Sequence, residues 1–248
     1  MVTAYIINLK TSEDRKLYME KVMSPMQSLS PVFIEAVNGR MMTDDEINES
    51  FDQKVAFKHY GRELLPAEIG CTLSHKKCAK ALLDSDEQFA LILELIWRIP
   101  DVQPLFELLA ESLSTDKPVV VLLSGDYWYT STNRLDENYR LASVRDAVCA
   151  QAYLINRAAA AALINMPNWH LADDWLEIKR EGIQLKAVLP HIADQNRAEI
   201  KTVIAPIYGG IKRENISLRM KLDSYCRSLI NKILVWTNRF EAKNFKWE

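Results

Sequence analysis

The feature that most constrains the fold of this chain is a repeated alternation of short apolar runs with longer amphipathic stretches. Apolar runs of this length, each followed by a helical pattern, are typical of an α/β fold with a largely parallel sheet. The runs predicted as strands are Ala4–Leu9, Pro31–Val37, Phe89–Leu93, Val119–Leu123, Ala150–Ile155 and Ile183–Leu189. Helices are predicted at Glu13–Met26, Pro66–Leu83, Val102–Leu113 and Arg157–Ile164.

Size and composition indicate one main domain. The chain has 248 residues, of which 48% are hydrophobic and 26% charged, as in an ordinary soluble globular protein. No apolar stretch approaches the roughly 20 residues needed to span a bilayer, and the sequence enters a strand-like run without a signal-type leader. These patterns predict a cytoplasmic protein.

Charge is distributed unevenly along the chain. The net charge is −2, so no global field favours nucleic acid, and we expect no nucleic-acid partner. Residues 212–248 contain nine Lys or Arg against four Asp or Glu, a net +5, which leaves −7 for residues 1–211. The four cysteines lack CxxC pairing, and we expect reduced, small buried side chains.

In open α/β sheets ligands bind beyond the carboxyl ends of the strands, and the first such end is polar. Asn8 ends a strand, Ser12 precedes a helix, and Asp14 and Arg15 lie in its first turn. A helix N-terminus beside a guanidinium suits a diphosphate. The alternative is a plain helix cap at Ser12 with a solvated Arg15.

Two further segments combine glycine with polar residues. Asn38-Gly39 ends the second strand, where the dipeptide typically marks a turn with positive φ at both residues. In the following predicted helix, Glu68 and His75 lie about 20° apart on the helical wheel and so share one face. Gly70 within that helix indicates close approach of another backbone or a ligand.

Several other polar residues are candidates for chemistry. Glu94 lies inside the apolar run Leu-Ile-Leu-Glu-Leu-Ile, so its carboxylate must reach a partner or line a cavity. Asp173 and Asp174 precede Trp175, and either acid could instead cap a helix beginning there. Trp169 and Trp175 could stack on a sugar ring or belong to the edge of the core.

The basic tail contains a predicted amphipathic helix. Apolar residues recur at helical spacing from Leu222 to Leu234, with Arg219, Arg227 and Lys232 elsewhere on the wheel. Such a helix could lie on an anionic membrane surface, pack on the main domain, or contact a second subunit.

Taken in order, these motifs resemble glycosyltransferase family 25, which includes bacterial lipooligosaccharide galactosyltransferases. The matching segments are Tyr5-Ile6-Ile7-Asn8-Leu9 with Asp14-Arg15, Ala36-Val37-Asn38-Gly39, Glu68-Ile69-Gly70-Cys71 with Ser74-His75, Leu91-Ile92-Leu93-Glu94, Ala152-Tyr153-Leu154-Ile155 with Arg157 and Ala160, Asp173, and more weakly Pro190 and Gln195. The resemblance spans roughly residues 4–195.

The resemblance implies a GT-A type fold over residues 1–210, a nucleotide-binding half fused to an acceptor-binding half, followed by the helical tail at 211–248. It implies inverting transfer of a hexose, galactose from UDP-galactose, to a lipid-linked oligosaccharide in lipopolysaccharide assembly, with peripheral inner-membrane contact through the tail. Asp173 is then the first choice for the base, with Asp174 and Glu94 as further catalytic candidates. Donor-binding residues by resemblance are Asn8, Ser12, Asp14, Arg15, Asn38, Gly39, Glu68, Ser74 and His75.

One departure from the family pattern concerns the metal. The family has an acidic Glu-Asp-Asp motif for Mn²⁺ or Mg²⁺ on the donor diphosphate, whereas here Leu95 and Ile96 follow Glu94. Glu94 and His191 remain as candidate metal ligands. Three interpretations of Leu95 and Ile96 are open. The protein has lost catalysis and binds a nucleotide, a glycan or a partner enzyme; or it works without metal, with Arg or Lys balancing the diphosphate; or these two residues were altered on purpose.

Overall fold

A computed structural model describes residues 1–94, 102–193 and 217–242, and within these ranges the strands form one nine-stranded mixed sheet. The spatial order is β2-β1-β3-β7-β4-β8-β6-β5-β9. The strands are β1 (Val2–Asn8), β2 (Leu29–Glu35), β3 (Phe89–Leu93), β4 (Val119–Leu122), β5 (Asp126–Arg134), β6 (Arg140–Val148), β7 (Ala152–Asn156), β8 (Gln184–Leu189) and β9 (Phe240–Glu241).

Helices cover both faces of this sheet, because its central strands are apolar on both sides. The described helices are α1 (Glu13–Met23), α2 (Asp44–Ser50), α3 (Gln53–Tyr60), α4 (Pro66–Asp84), α5 (Gln103–Leu113), α6 (Arg157–Asn165), α7 (Trp175–Arg180) and α8 (Leu218–Trp236). One core cluster joins Ile92 and Tyr153 to α4, α6 and α7, and a second joins Leu91 and Leu154 to α1 and α5. The result is three layers, helix, sheet and helix.

The expectation of a largely parallel sheet is wrong. β1 pairs in parallel with β2 and β3, and β4 with β8, but the other five neighbouring pairs are antiparallel. β7 runs antiparallel between β3 and β4, and β5 and β6 form a hairpin. A strand that is buried on both faces is apolar along its length whether it runs parallel or antiparallel to its neighbours. The sequence therefore did not reveal the strand directions.

The predicted strands and helices are all present, with ends shifted by a few residues. The elements that the sequence did not reveal are α2, α3, α7 as an assigned helix, the β5–β6 hairpin and the short strand β9. The helices α2 and α3 bury one residue each, and the outer half of β5 is largely exposed, so these segments carry no strong apolar pattern. The mixed α/β architecture itself was predicted correctly.

Close contact between two glycines fixes the start of α4 against the end of β2. A Cβ on Gly39 would lie 1.6 Å from the carbonyl oxygen of Pro66, and a Cβ on Gly70 would lie 2.6 Å from the backbone of Gly39 and of Val37. The close backbone approach expected at Gly70 is confirmed. The positive φ expected at Asn38 is wrong, since its φ is −82° and it begins a 3-10 turn, Gly39–Met41.

The junction of β7 and α6 is held by two polar side chains. Asn156 caps α6 by accepting from Ala159 N, and its amide donates to the carbonyls of Leu113, Thr115 and Lys117. Arg157 donates to carbonyl oxygens at the end of α4. These bonds tie the carboxyl end of β7, and with it the amino end of β3, to the neighbouring helices.

The tail is attached to the same sheet. α8 begins after the N-cap Ser217, whose hydroxyl accepts from Met220 N, and β9 then pairs with β5. The division at residue 210 stays a prediction, because residues 194–216 lie outside the described part. None of the described helices is long and apolar enough to cross a membrane.

Candidate active site

Three side chains meet where β3 ends. The His75 ring nitrogen Nε2 lies 3.1 Å from Oε1 of Glu94, and the Cys71 thiol donates to the same oxygen at 3.7 Å. On the other side of the ring, His75 Nδ1 lies 2.8 Å from the Tyr153 hydroxyl. With a neutral ring, Nε2–H donates to the carboxylate and Nδ1 accepts from Tyr153, which fixes the tautomer.

The local sequence explains this meeting. Cys71 and His75 are four residues apart on α4 and so project from one face of the helix. Glu94 directly follows β3, and its backbone N–H donates to Gln151 O at 2.8 Å, just before β7. Glu94, whose carboxylate was expected to need a partner, therefore accepts hydrogen bonds at Oε1 from His75 and Cys71. None of the described residues donates to Oε2, which leaves that oxygen for a ligand.

Asp173 joins this group through its charge. Loss of hydration against the surrounding protein raises the pKa of its carboxyl to about 6, and the negative charges of Glu94 and Asp174 add to the effect. A carboxylate with a pKa near 6 is ionised at neutral pH and still able to take a proton from a hydroxyl. Burial and the negative charges of Glu94 and Asp173 raise the pKa of the Cys71 thiol, so Cys71 is a neutral donor.

The expected divalent cation does not suit the side chains that the structure brings together. Ligand atoms of Cys71, His75 and Glu94 all lie within 4.8 Å of one another. Thiolate and imidazole are ligands of zinc-like metals, whereas Mg²⁺ and, largely, Mn²⁺ take oxygen. Leu95 and Ile96 lie outside the described residues, and neither side chain offers oxygen.

A large cavity lies beside Asp174. Its volume is about 1180 Å³, and it is bounded by α3, α7, the loop before α7 and the first half of α8. Its lining combines aromatic rings with charged groups, notably His59, Tyr60, Trp169, Asp174 and Arg180. The His59 and Trp169 rings lie 4.5 Å apart between centroids. Aromatic faces beside hydrogen-bonding groups suit a carbohydrate.

The first group of predicted donor residues lies at the β1–α1 junction. The Asn8 amide donates to Leu9 O at 2.9 Å and to Ser12 O at 3.1 Å, which shapes the turn into α1. Ser12 is the N-cap residue but makes no side-chain cap bond. Asp14 and Arg15 lie in the first turn, as expected. No contact joins these residues directly to Glu94 among those described.

The remaining predicted donor residues have contacts inside the protein. Asn38 Oδ1 accepts from Arg40 N at 3.3 Å, and the Ser74 hydroxyl accepts from Val37 N at 2.9 Å. Glu68 is buried and accepts two bonds from Arg62, at 2.8 and 2.7 Å. Glu68 and His75 share the buried side of α4 as predicted, yet only His75 reaches the group at Glu94.

Three other candidates are placed away from that group. His191 is buried, bonds the Gly125 carbonyl oxygen and stacks on Tyr127. Trp175 is a core residue whose Nε1 donates to Cys149 O at 2.7 Å. Asp174 is the N-cap residue of α7 without a side-chain cap bond, and it pairs with Arg227 at 3.2 Å.

Sequence reasoning missed Cys71, Tyr153, His59, Tyr60 and Arg180 as site residues. Cys71 could have been found from its four-residue spacing to His75. Tyr153 lies in a fully buried strand, and its hydroxyl needed a partner. The residues on α3 and α7 carried no such signal, because their place depends on how short helices pack.

Residues 1–94 match a family model described as glycosyltransferase family 25 (LPS biosynthesis protein). The matched segment contains β1, α1, β2, all of α4, β3 and Glu94. It covers 94 of the 248 residues and supports the family resemblance seen in the sequence.

Proposed function

We propose that this chain, a member of glycosyltransferase family 25 by its matched residues 1–94, transfers a hexose from a nucleotide sugar to a glycan acceptor in lipopolysaccharide biosynthesis. The observation that carries the proposal is the meeting of Glu94, His75 and Cys71 at the carboxyl end of β3, with Asp173 close enough for the charge of Glu94 to act on its carboxyl. By resemblance the donor is UDP-galactose, the fold is GT-A type, and the anomeric centre is inverted.

In this mechanism Asp173 acts as the base. Its carboxylate accepts the proton of an acceptor hydroxyl while that oxygen forms a bond to the anomeric carbon of the sugar. The bond from the anomeric carbon to the diphosphate oxygen breaks, and UDP leaves with that electron pair. Displacement from the face opposite the leaving group gives inversion. Asp173 then returns its proton to solvent.

Glu94 has a positioning role in the proposal. His75 and Cys71 hold Oε1, so Oε2 is oriented towards the donor sugar, where it accepts a hydrogen bond from a sugar hydroxyl. Its negative charge also stabilises positive charge that develops at the anomeric carbon. Tyr153 holds the other side of the His75 ring and so sets the direction of the imidazole.

The diphosphate is assigned to the first turn of α1. The N–H groups of that turn and the Arg15 guanidinium supply positive charge at the end of β1. Because Leu95 and Ile96 offer no carboxylate, the proposal relies on these groups to balance the phosphates. The residues described provide no oxygen-rich site through which a divalent cation would take part.

The acceptor is assigned to the cavity bounded by α3, α7 and α8. Trp169 and Tyr60 line it, and Asp174 connects it to Asp173 along the chain. We expect a lipid-linked oligosaccharide whose sugar stacks on the aromatic rings, with the enzyme on the cytoplasmic side of the inner membrane.

A second candidate function follows from Leu95 and Ile96. With one carboxylate where the family has three acids, the protein could bind nucleotide, glycan or a partner enzyme without turnover. Binding of UDP with no release of UDP from any nucleotide sugar would favour this candidate.

The test is a turnover assay over a panel of nucleotide sugars, with Mn²⁺ and with chelator, using lipopolysaccharide-core acceptors. The matched variants are Asp173→Asn and Asp116→Asn, the latter altering an exposed acid remote from the site. Transfer that is lost only in Asp173→Asn supports the proposal. Equal activity in both variants would exclude Asp173 as the base, and no transfer from any donor would favour the binding function.

A further inference from the structure

The helix α8 contacts the sheet through its polar side. Arg227 makes two hydrogen bonds of 2.7 Å to Asp146, and Asn231 adds a third of 2.7 Å to the same carboxylate. Asp223 pairs with Arg180 on α7. Leu234 is the buried residue of this helix. The contacts that hold α8 are therefore mainly ion pairs and hydrogen bonds.

The opposite side of α8 is apolar and faces solvent. At about 100° per residue, six of its eight large exposed residues fall within an arc of about 80° centred opposite Arg227, while Ile230 and Val235 lie outside that arc. Trp236 is 85% exposed and Leu229 is 45% exposed. We call this surface the outer face, and its members are Leu218, Leu222, Tyr225, Leu229, Ile233 and Trp236. Helices normally bury such a stripe, so this one is inverted with respect to the body.

Positive charge borders the outer face. Lys221 and Lys232 lie along one edge and Arg219 along the other, all exposed. Asp223, the acid of α8, lies on the body side, where Arg180 holds it. Within α8 the exposed half thus combines an apolar strip with basic flanks, the pattern of a helix that lies in the interface of an anionic bilayer.

We propose that the outer face of α8 docks the protein on an anionic lipid surface, with the helix axis parallel to the bilayer. Trp236 and Tyr225 would occupy the headgroup level, and the lysines would contact lipid phosphates. The inference deepens the proposed function and rests on it for the identity of the acceptor. Docking through α8 places the acceptor cavity beside the bilayer, because the first half of this helix lines that cavity.

A second copy of the chain is a poorer occupant of the outer face. In an antiparallel pair of α8 helices the same edges meet, so Lys221 and Lys232 of one copy would face the same lysines of the other. Like charges at the edge of an apolar seam oppose pairing, whereas anionic headgroups complement them. The charge pattern thus favours lipid.

The experiment is vesicle flotation of the full chain. Vesicles contain phosphatidylglycerol and phosphatidylethanolamine, and control vesicles contain phosphatidylcholine alone. We expect binding to the anionic vesicles at least about tenfold stronger, weakened by salt. The double variant Leu229→Glu/Ile233→Glu should lose about tenfold or more, while Leu108→Glu, an exposed residue on α5, should bind like the parent.

Folding of each variant is checked by circular dichroism, and Lys221→Glu/Lys232→Glu provides a second variant that leaves the apolar strip intact. Equal binding to both vesicle types, or unchanged binding of both double variants, would overturn the proposal. A dimer that Leu229→Glu/Ile233→Glu converts to monomer, without vesicle binding by the parent, would instead assign the face to a second copy.

Flotation separates this inference from the proposed function. Loss of vesicle binding in Leu229→Glu/Ile233→Glu, with unchanged transfer to a soluble oligosaccharide, would leave the transferase intact and confirm α8 as the membrane contact. Vesicle binding by a chain that transfers no sugar would retain the docking surface and overturn the transferase proposal alone.

Discussion

Arg227 on α8 and Asp146 on β6 form a two-pronged ion pair, with both hydrogen bonds 2.7 Å long. Asp146 is completely buried, so its charge depends on this guanidinium and on Asn231. Burial by itself lowers the pKa of the Arg227 guanidinium. The hydrogen bonds and negative charges of Asp146 and Asp174 outweigh that effect, so the pKa is raised. Arg227 also forms an ion pair with Asp174, and so connects α8 to the segment that contains Asp173 and Asp174.

Arg227→Ala should destabilise the protein by about 2–3 kcal/mol, because it leaves a buried carboxylate with only Asn231 as a partner. Urea unfolding followed by circular dichroism measures the change. Arg219→Ala removes an exposed arginine from the same helix and should change stability by less than about 0.5 kcal/mol. Equal effects of the two variants would contradict a special role for the pair.

Activity should rise as the pH increases through about 6. Asp173 must be ionised to accept a proton, and its pKa of about 6 places that step above the ordinary range of an aspartic acid. A profile of kcat/KM against pH measures it, and Asp173→Asn should lower kcat about 10²- to 10⁴-fold. An acidic limb with a midpoint near pH 4 would contradict the assignment.

The same carboxyl should cost stability at neutral pH. Its folded-state pKa is raised above the unfolded value near 3.8, so its contribution favours folding below that value and is lost as the pH rises through about 6. Asp173→Asn should therefore unfold at a higher temperature than the parent at pH 7.5. The gain should shrink at pH 4.5, whereas Asp116→Asn should show no such dependence.

Gly39→Ala should destabilise the protein by about 3 kcal/mol, because the added methyl would overlap the Pro66 carbonyl oxygen at the start of α4. Gly182→Ala is the matched control. No atom would lie within 4 Å of its Cβ, so it should cost only the strain of its φ of +94°, about 1 kcal/mol. Thermal unfolding of both variants checks the order, and a smaller effect at Gly39 would contradict it.

Divalent cation should have little effect on UDP binding by the parent chain. The ligand atoms that meet at the end of β3 are one carboxylate, a thiol and an imidazole, a set that suits neither Mg²⁺ nor an oxygen-bound Mn²⁺. Titration calorimetry should give dissociation constants within about twofold with Mn²⁺ or chelator. Leu95→Asp/Ile96→Asp should introduce metal-dependent tightening. Strong tightening in the parent would show that its ligands lie elsewhere.

The residues alone predicted most of the central elements, because burial on both faces of a strand and on one side of a helix leaves a local pattern. Phe89–Leu93 was predicted to the residue, and α4 to within one. The need of Glu94 for a partner also followed from its apolar neighbours. The identity of that partner did not follow from the sequence. Glu68 and His75 share one side of α4, and only His75 reaches Glu94.

Thus the sequence by itself determined the α/β class, the positions of the buried elements and the motifs that match the family. Only the tertiary structure decided the antiparallel insertion of β7, the meeting of Cys71, His75 and Glu94, and the side of α8 that contacts the body. Local periodicity tells which residues share a side, but the partner of that side depends on contacts between distant segments. In α8 those contacts are the ion pairs of Arg227 and Asp223, and they turn the apolar strip outward.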